Sequence, residues 1–291
     1  MFKSLTILKY TGDIHSGDNA KALERNSFTP CEPSQQLSIG FVPPRGFTHG
    51  ALMESTHQVH MLKVCIEEKT VPTDVIKRKV SERCDQFEKE TGLRPGRKYQ
   101  RELSNEVMLD LLPQAFPKQK TVEVLFSPEL QFVFINSTSK KQVDLISTLL
   151  MKTFGGLVLD NLATNTSLSF TMADWLLNGE PPRFTIDMDC KLKSSDDKKT
   201  SVAYTHTNLL NDEVTNYLGN GFQPVQLALT WRDRVSFMLT DSFSIKRVEF
   251  LDIVFASKEG QDDAFDADLA IYSSEMLPLV VDLIQALGGP K

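Results

Sequence analysis

Cysteine is scarce in this sequence, and the four that occur, Cys31, Cys65, Cys84 and Cys190, lie far apart with no C-x-x-C pair. That spacing argues against a disulfide framework or a zinc site and fits reduced cytoplasmic thiols. Long hydrophobic runs are missing as well. The longest apolar stretch, "LPLVVDLIQAL", is interrupted by Asp282 and is too short to span a membrane. The N-terminal "MFKSLTILKYTG" has Lys3 but no apolar core of signal-peptide length. No G-x-x-x-x-G-K-[ST] is present to cradle a triphosphate, and "GNGFQP" lacks the third glycine and the strand-to-helix setting of a dinucleotide site. The five histidines are scattered, and His57 and His60 have no neighbours that complete a metal-ligand set. These absences predict no membrane partner, no nucleotide hydrolysis, no cofactor and no metal.

What is present is ample for a folded protein. With 291 residues, 41% of them hydrophobic and 24% charged, the chain can bury a core as one large or two modest domains. Its net charge of −6 hides a strong segregation. Residues 76–101 carry nine cations against four anions, whereas residues 249–275 carry eight anions against Lys258 alone. A polyanion feels the nearby patch rather than the total, because screening confines attraction to about 8–10 Å in physiological salt. The acidic sum therefore does not exclude a nucleic-acid partner.

Periodicity places these charges. "HQVHMLKVCIEE" and "TVEVLFSPELQFVFINS" have the short β-branched and aromatic alternation of strands, with Ser127-Pro128-Glu129 turning the second into a hairpin. Between them Ile76, Val80, Cys84 and Phe87 recur at helical spacing, and Lys77, Arg78 and Lys79 project away from that stripe. "TGLRPGRK" breaks the chain, and Leu103, Val107, Met108, Leu111 and Leu112 begin a second stripe that Pro113 ends. The result is a helical hairpin with a basic connecting loop, inserted between strands. Farther on, "STSKKQVDLISTLLMKTFGG" offers Ser139 as an N-cap and Gly155-Gly156 as a stop. The C-terminal "ADLAIYSSEMLPLVVDLIQALGG" reads as a strand, a Ser273-Ser274 cap and a helix with Pro278 in its first turn, which predicts a duplicated strand-to-helix unit. "TMADWLLNG" reads as a short helix, and "VQLALTWRDRVSFMLTDSFSIKRVEF" as a meander turning near Arg232-Asp233 and Asp241-Ser242.

The fold class is α+β, with mixed strand and helix domains around the inserted hairpin. It divides into an N-terminal α/β part over residues 1–74, the hairpin as a tip over 75–118, a continuation of the first part over 119–165, and a C-terminal α+β domain over 166–291.

Enzymatic chemistry has one candidate, "DDAFDADL", where Asp262, Asp263, Asp266 and Asp268 stand near a predicted strand start. Two-metal nuclease chemistry wants acids in such a place, although an Asp-rich boundary is also ordinary capping chemistry. A different puzzle is "DLLPQAFPKQK", which holds Phe116 between Pro113 and Pro117, beside Lys118 and Lys120.

Seven segments, "SFTPC", "GFVPP", "LLPQAF", "ADWLLNG", "LALTW", "SIKRVEF" and "FDADL", occur in an order and spacing that resembles the RdgC family of bacterial recombination-associated proteins. The resemblance covers nearly the whole chain. It implies a cytoplasmic, nucleoid-associated and non-enzymatic protein that binds double-stranded DNA with little sequence preference. It further implies horseshoe-like subunits closing into a homodimeric ring with a basic hole, which restrains RecA-type recombinases by occupying DNA. The sequence departs from the family before "NLLNDEV", where basic residues are expected and His206 and Thr207 stand.

A ring around a duplex needs cations on one concave surface, since phosphate contacts give affinity without reading bases. The candidates are Lys77, Arg78, Lys79, Arg94, Arg97, Lys98 and Arg101 in the hairpin, Lys118 and Lys120 after it, and Lys140 and Lys141 at a helix start. Lys191 and Lys193, with Lys198 and Lys199 beside Asp196 and Asp197, and the Lys246-Arg247 pair complete the set. Phe116, held rigid by Pro113 and Pro117, is the expected aromatic anchor of the dimer interface. The alternatives are that Phe116 packs beneath its own helix and that Lys246 and Arg247 pair with the acidic stretch that follows them.

Overall fold

Period-2 and period-3.6 patterns alternate along the chain, and they resolve into a large antiparallel sheet with helices. The computed structural model describes residues 2–14, 19–46, 50–56, 58–196, 200–255 and 264–289. In chain order the elements are β1 (Ser4–Thr11), α1 (Asn19–Arg25), β2 (Leu37–Val42), β3 (Met53–Ser55), β4 (His60–Lys69), α2 (Thr73–Thr91), α3 (Arg97–Leu111), β5 (Pro117–Ser127), β6 (Phe132–Ile135), α4 (Lys140–Thr153) and β7 (Val158–Asn161). There follow α5 (Leu168–Asn178), β8 (Phe184–Ser194), β9 (Ser201–Tyr204), α6 (Asp212–Gly219), β10 (Phe222–Trp231), β11 (Val235–Thr240), β12 (Ser244–Phe250), α7 (Asp252–Phe255), α8 (Ala264–Ile271) and α9 (Leu277–Ala286). The chain divides into two compact units, residues 1–17, 53–62 and 123–291 in the first, residues 18–52 and 63–122 in the second.

In the first unit the strands run in the order β5-β6-β1-β12-β11-β10-β8-β9. β1 is central, antiparallel to β6 through Ile7↔Phe134 and to β12 through Leu5↔Ile245. Alternation along these strands puts Leu5, Ile7, Leu227, Leu229, Phe237 and Leu239 into one core with Met172 and Trp175 of α5 and Val280 and Leu283 of α9. The predicted meander is β10-β11-β12, and its first turn places both Arg232 (φ 47°) and Asp233 (φ 53°) in the left-handed region. That pairing of positive φ values matches the right-handed twist of a tight hairpin.

The C-terminal segment folds otherwise than its sequence pattern predicts. "ADLAI" forms the end of α8 rather than a strand, and Ser273 and Ser274 sit in a single π-helical turn, Tyr272–Met276, that runs into α9. The serine hydroxyls donate back to the carbonyls of Leu269, Ala270 and Ile271, so they serve a continuous helical path and not a cap. The second copy of the supposed strand-to-helix duplication therefore has a helix where a strand was expected.

In the second unit β2 pairs antiparallel with β4, from Leu37↔Glu68 to Val42↔Lys63, and β5 follows on the other side of β4. Gly40 is required there because a Cβ would meet the Phe28 backbone at 2.5 Å, where the segment before β2 crosses it. The predicted helical hairpin is present as α2 and α3. Cys84, Leu103 and Val107 form its buried seam, with Ile76, Val80 and Leu111 against them, and the Phe87 and Tyr99 rings meet at 5.1 Å. Gly92, left-handed at φ 70°, closes α2 by donating its N–H to the Glu88 carbonyl.

Candidate nucleic-acid interface

All seven hairpin cations singled out from the sequence are exposed. Their pairing divides them. Lys79 Nζ donates to Glu82 Oε2 at 2.8 Å, and this bond, reinforced by the charges of Lys79 and Arg78, holds the Glu82 carboxyl below its usual range. Arg83, outside the predicted set, pairs with Asp110 at 2.7 Å. Lys77, Arg78, Arg94, Arg97, Lys98 and Arg101, by contrast, form no ion pair with any described residue.

Three of these unpaired cations, Arg97, Lys98 and Arg101, occupy the start of α3, whose first turn holds no acid and whose N-cap, Gly96, supplies no side-chain bond. Cations at that end oppose the helix dipole, at about 0.3–1 kcal/mol each when exposed. An arriving anion relieves the repulsion and meets free backbone N–H groups as well.

After α3, a 3-10 turn over Leu112–Gln114 carries Pro113 and anchors on buried Leu112. Phe116 then stands 91% exposed ahead of Pro117, so it does not pack beneath its own helix. The first five residues of β5 are exposed, Lys118 and Lys120 among them. Their strand is fixed in place by Gln119, whose Nε2 donates to Glu67 Oε2 at 2.7 Å. Glu67 is buried, and the bonds from Gln119 and from the Cys31 amide at 2.6 Å hold its carboxyl below the usual range.

The first unit holds the remaining candidates. Lys140 and Lys141 are exposed at the start of α4, where Ser139 occupies the N-cap position without a side-chain cap bond. On β8 Lys191 is half-buried and Lys193 exposed, while Lys198 and Lys199 lie outside the described residues. Lys246 is half-buried on β12. Arg247 takes a left-handed φ of 50° at a β-bulge, where the register shifts between Ser236 and Met238. Its Nη1 pairs with Asp189 Oδ2 of β8 at 3.2 Å, in a groove that Asp187 and Glu249 also line. Arg247 is thus already partnered by β8, and among the described residues it forms no ion pair with the acidic stretch that begins at Glu249. Burial raises the Asp187 carboxyl above its usual range, against the Thr230 hydroxyl bonded to it.

One constellation escaped the sequence reading, which took Asp282 only as a break in an apolar run. Its carboxylate is buried on α9 and accepts from Trp231 Nε1 at 2.8 Å, from Arg232 Nη2 at 2.9 Å and from Arg183 Nη1. The usable signal was that a carboxylate on a buried helix face needs a cationic partner somewhere in the chain.

The acidic cluster changes character. Asp266 and Asp268 lie on α8, not at a strand start, and Asp262 and Asp263 lie outside the described residues. Among the described residues no three of His, Cys, Asp and Glu are placed to hold a metal ion. His60 is buried on β4 with Nδ1 at 2.8 Å from Ser55 Oγ, and His57 lies outside the described residues. No described helix is long and apolar enough to cross a membrane.

Fold and charges together define an α+β protein that displays an unneutralised cationic helix terminus and an exposed aromatic ring. A family model described as "Putative exonuclease, RdgC" matches residues 1–290. The protein named Recombination-associated protein RdgC from Dechloromonas aromatica (strain RCB) is 35% identical over 275 residues, covering 92% of this chain and 90% of that protein. The protein of the same name from Cupriavidus pinatubonensis (strain JMP 134 / LMG 1197) is 32% identical over 297 residues, covering 100% and 99%. The chain belongs to the RdgC family.

Proposed function

We propose that this chain binds double-stranded DNA without sequence preference as a closed homodimeric ring, and that it restrains RecA-type recombinases by occupying the DNA they need. The observation that carries this reading is the group of exposed, unpaired cations on the helical hairpin, Lys77, Arg94, Arg97, Lys98 and Arg101 among them, in a chain whose net charge is −6. Such cations have no folded-state partner to satisfy, and phosphates are the anions that recombination-associated proteins meet. Lys118, Lys120, Lys140, Lys141, Lys191, Lys193 and Lys246 extend the contacting set, with Arg247 a weaker member because Asp189 holds it. Phe116, between Pro113 and Pro117, anchors the second subunit, since a rigid exposed aromatic gains apolar burial at little entropy cost. The reading places the protein in the cytoplasm on the nucleoid, without membrane or cofactor.

A salt series with a random duplex tests the phosphate reading. If the ring presents several cations per subunit, log K falls against log salt with a slope on the order of −5 to −10, and sequence matters little. A slope near zero removes it. For the interface, a folded Phe116→Ala protein should be largely monomeric at micromolar concentration by sedimentation. A fully dimeric variant with normal DNA binding removes Phe116 from that role.

The family's description as an exonuclease favours a second reading, exonuclease activity on the Asp262 to Asp268 segment. Plasmid and linear DNA incubated with magnesium or manganese stay intact if the protein only binds. Cutting that is abolished by Asp266→Asn and Asp268→Asn replaces the binding reading with the enzymatic one.

A further inference from the structure

A groove of about 260 Å³ runs between α2 and α3, lined by Lys77, Ser81, Arg94, Gln100 and Ser104 over Cys84. Val80 completes its lining, so the groove sits against the hairpin seam. Every polar side chain that lines it can donate a hydrogen bond, and no carboxylate lines it. Lys77 and Arg94 form no ion pair with any described residue, although Lys79 and Arg83 close by are both paired. The Ser81 and Ser104 hydroxyls bond no other described residue either. Gln100 Nε2 donates to the Pro95 carbonyl at 2.9 Å, which ties the loop that carries Arg94 to α3. Two like charges share one cleft with donors and no acceptor anion, and a single tetrahedral oxyanion satisfies both at once.

We propose that this groove holds one phosphate group, gripped from two sides by Lys77 and Arg94 and hydrogen-bonded by the Ser81 and Ser104 hydroxyls. The source of that phosphate as a duplex backbone rests on the DNA-binding reading above; free phosphate shares the same chemistry. The claim is narrower than general attraction, because the two cations serve one phosphate instead of two. Each neutralised phosphate contributes about 0.9 to the salt slope.

The test uses the full chain and the variants Lys77→Ala, Arg94→Ala and their combination. Each single change should move the slope little, because the remaining cation still neutralises the shared phosphate, and the double change should make it shallower by about 0.9 per subunit. Ser104→Asp, which sets a carboxylate in the groove, should weaken duplex binding at least as much as the double variant. Asn105→Asp, which adds the same charge to an exposed neighbouring position, should weaken it less. Additive slopes, an unchanged double variant, or equal effects of Ser104→Asp and Asn105→Asp overturn the proposal while wild-type DNA binding stands. In parallel, inorganic phosphate should shift the amide resonances of Ser81, Gln100 and Ser104 in the wild type and not in the double variant. If the wild type binds no duplex but these shifts appear, the DNA reading falls and the groove remains a site for free phosphate. If they do not appear and the duplex arm shows no groove-specific loss, the groove is not a phosphate site.

Discussion

Replacing Arg97, Lys98 and Arg101 with alanine is expected to weaken duplex binding at least about thirtyfold while leaving the protein as stable as before or more so. All three are exposed and unpaired at the start of α3. Three exposed ion pairs at about 0.7 kcal/mol each amount to roughly thirtyfold per subunit. In a dimer both subunits lose them, so the measured loss should be larger. Stability moves the other way because Arg97 and Lys98, in the first turn of α3, oppose the dipole, and alanine is the better helix former at all three positions. A melting temperature that holds or rises while affinity collapses separates a binding role from a structural one. If affinity and salt slope match wild type, the hairpin terminus is not the DNA surface. If both stability and affinity fall, these side chains support the fold through contacts other than those described.

Asp282→Ala should have the largest effect on stability, about 3 kcal/mol, read as a fall of roughly 5–10 °C in melting temperature. The carboxylate is buried and holds Trp231 Nε1, Arg232 and Arg183 together. Its loss strands a buried indole N–H and leaves two guanidinium groups without their counter-charge, the costlier way to break a buried network. The value sits at the low end of the range for buried pairs because Arg183 and Arg232 are about half exposed. Burial by itself would raise the Asp282 carboxyl, but the hydrogen bonds from Trp231 and Arg183 and the charges of Arg232 and Arg183 outweigh it and hold the group below its usual range. A carboxyl depressed in the folded state stabilises the protein above its unfolded pKa, about 3.9, and that contribution disappears as pH falls through the lower folded value. Wild-type stability should therefore decline on acidification below about pH 4 more steeply than that of Asp282→Asn, which has no charge to lose there. Parallel pH profiles for the two proteins would show that the network adds nothing by its charge.

Much of the second unit was legible in the sequence because its information is local. Ile76, Val80 and Cys84 recur at the helical period, "TGLRPGRK" supplies the breakers, and Leu103 and Val107 repeat the stripe, so the hairpin and the segregation of its cations follow from nearest neighbours. Strand and helix periodicity carried the fold class, and the seven family segments carried the kinship. The "ADLAIYSSEM" stretch was misread for a matching reason: a short apolar run before two serines satisfies strand and cap signals equally. Only packing against the core selects the helix with its π turn. Tertiary structure alone decided which charges are free. Nothing near Arg247 in sequence announces Asp189, 58 positions away, and nothing near Asp282 announces Arg183, 99 positions away. Phe116 is the mirror case, since an aromatic ring commonly enters a chain's own core and the turn between two prolines holds it 91% exposed on the surface of this one. Sequence determined the elements and where cations cluster, because backbone preference and periodicity act over a few residues. The fold decided which cations are spent on internal carboxylates and which stay open to a partner, because ion pairing depends on distances that only the folded chain creates.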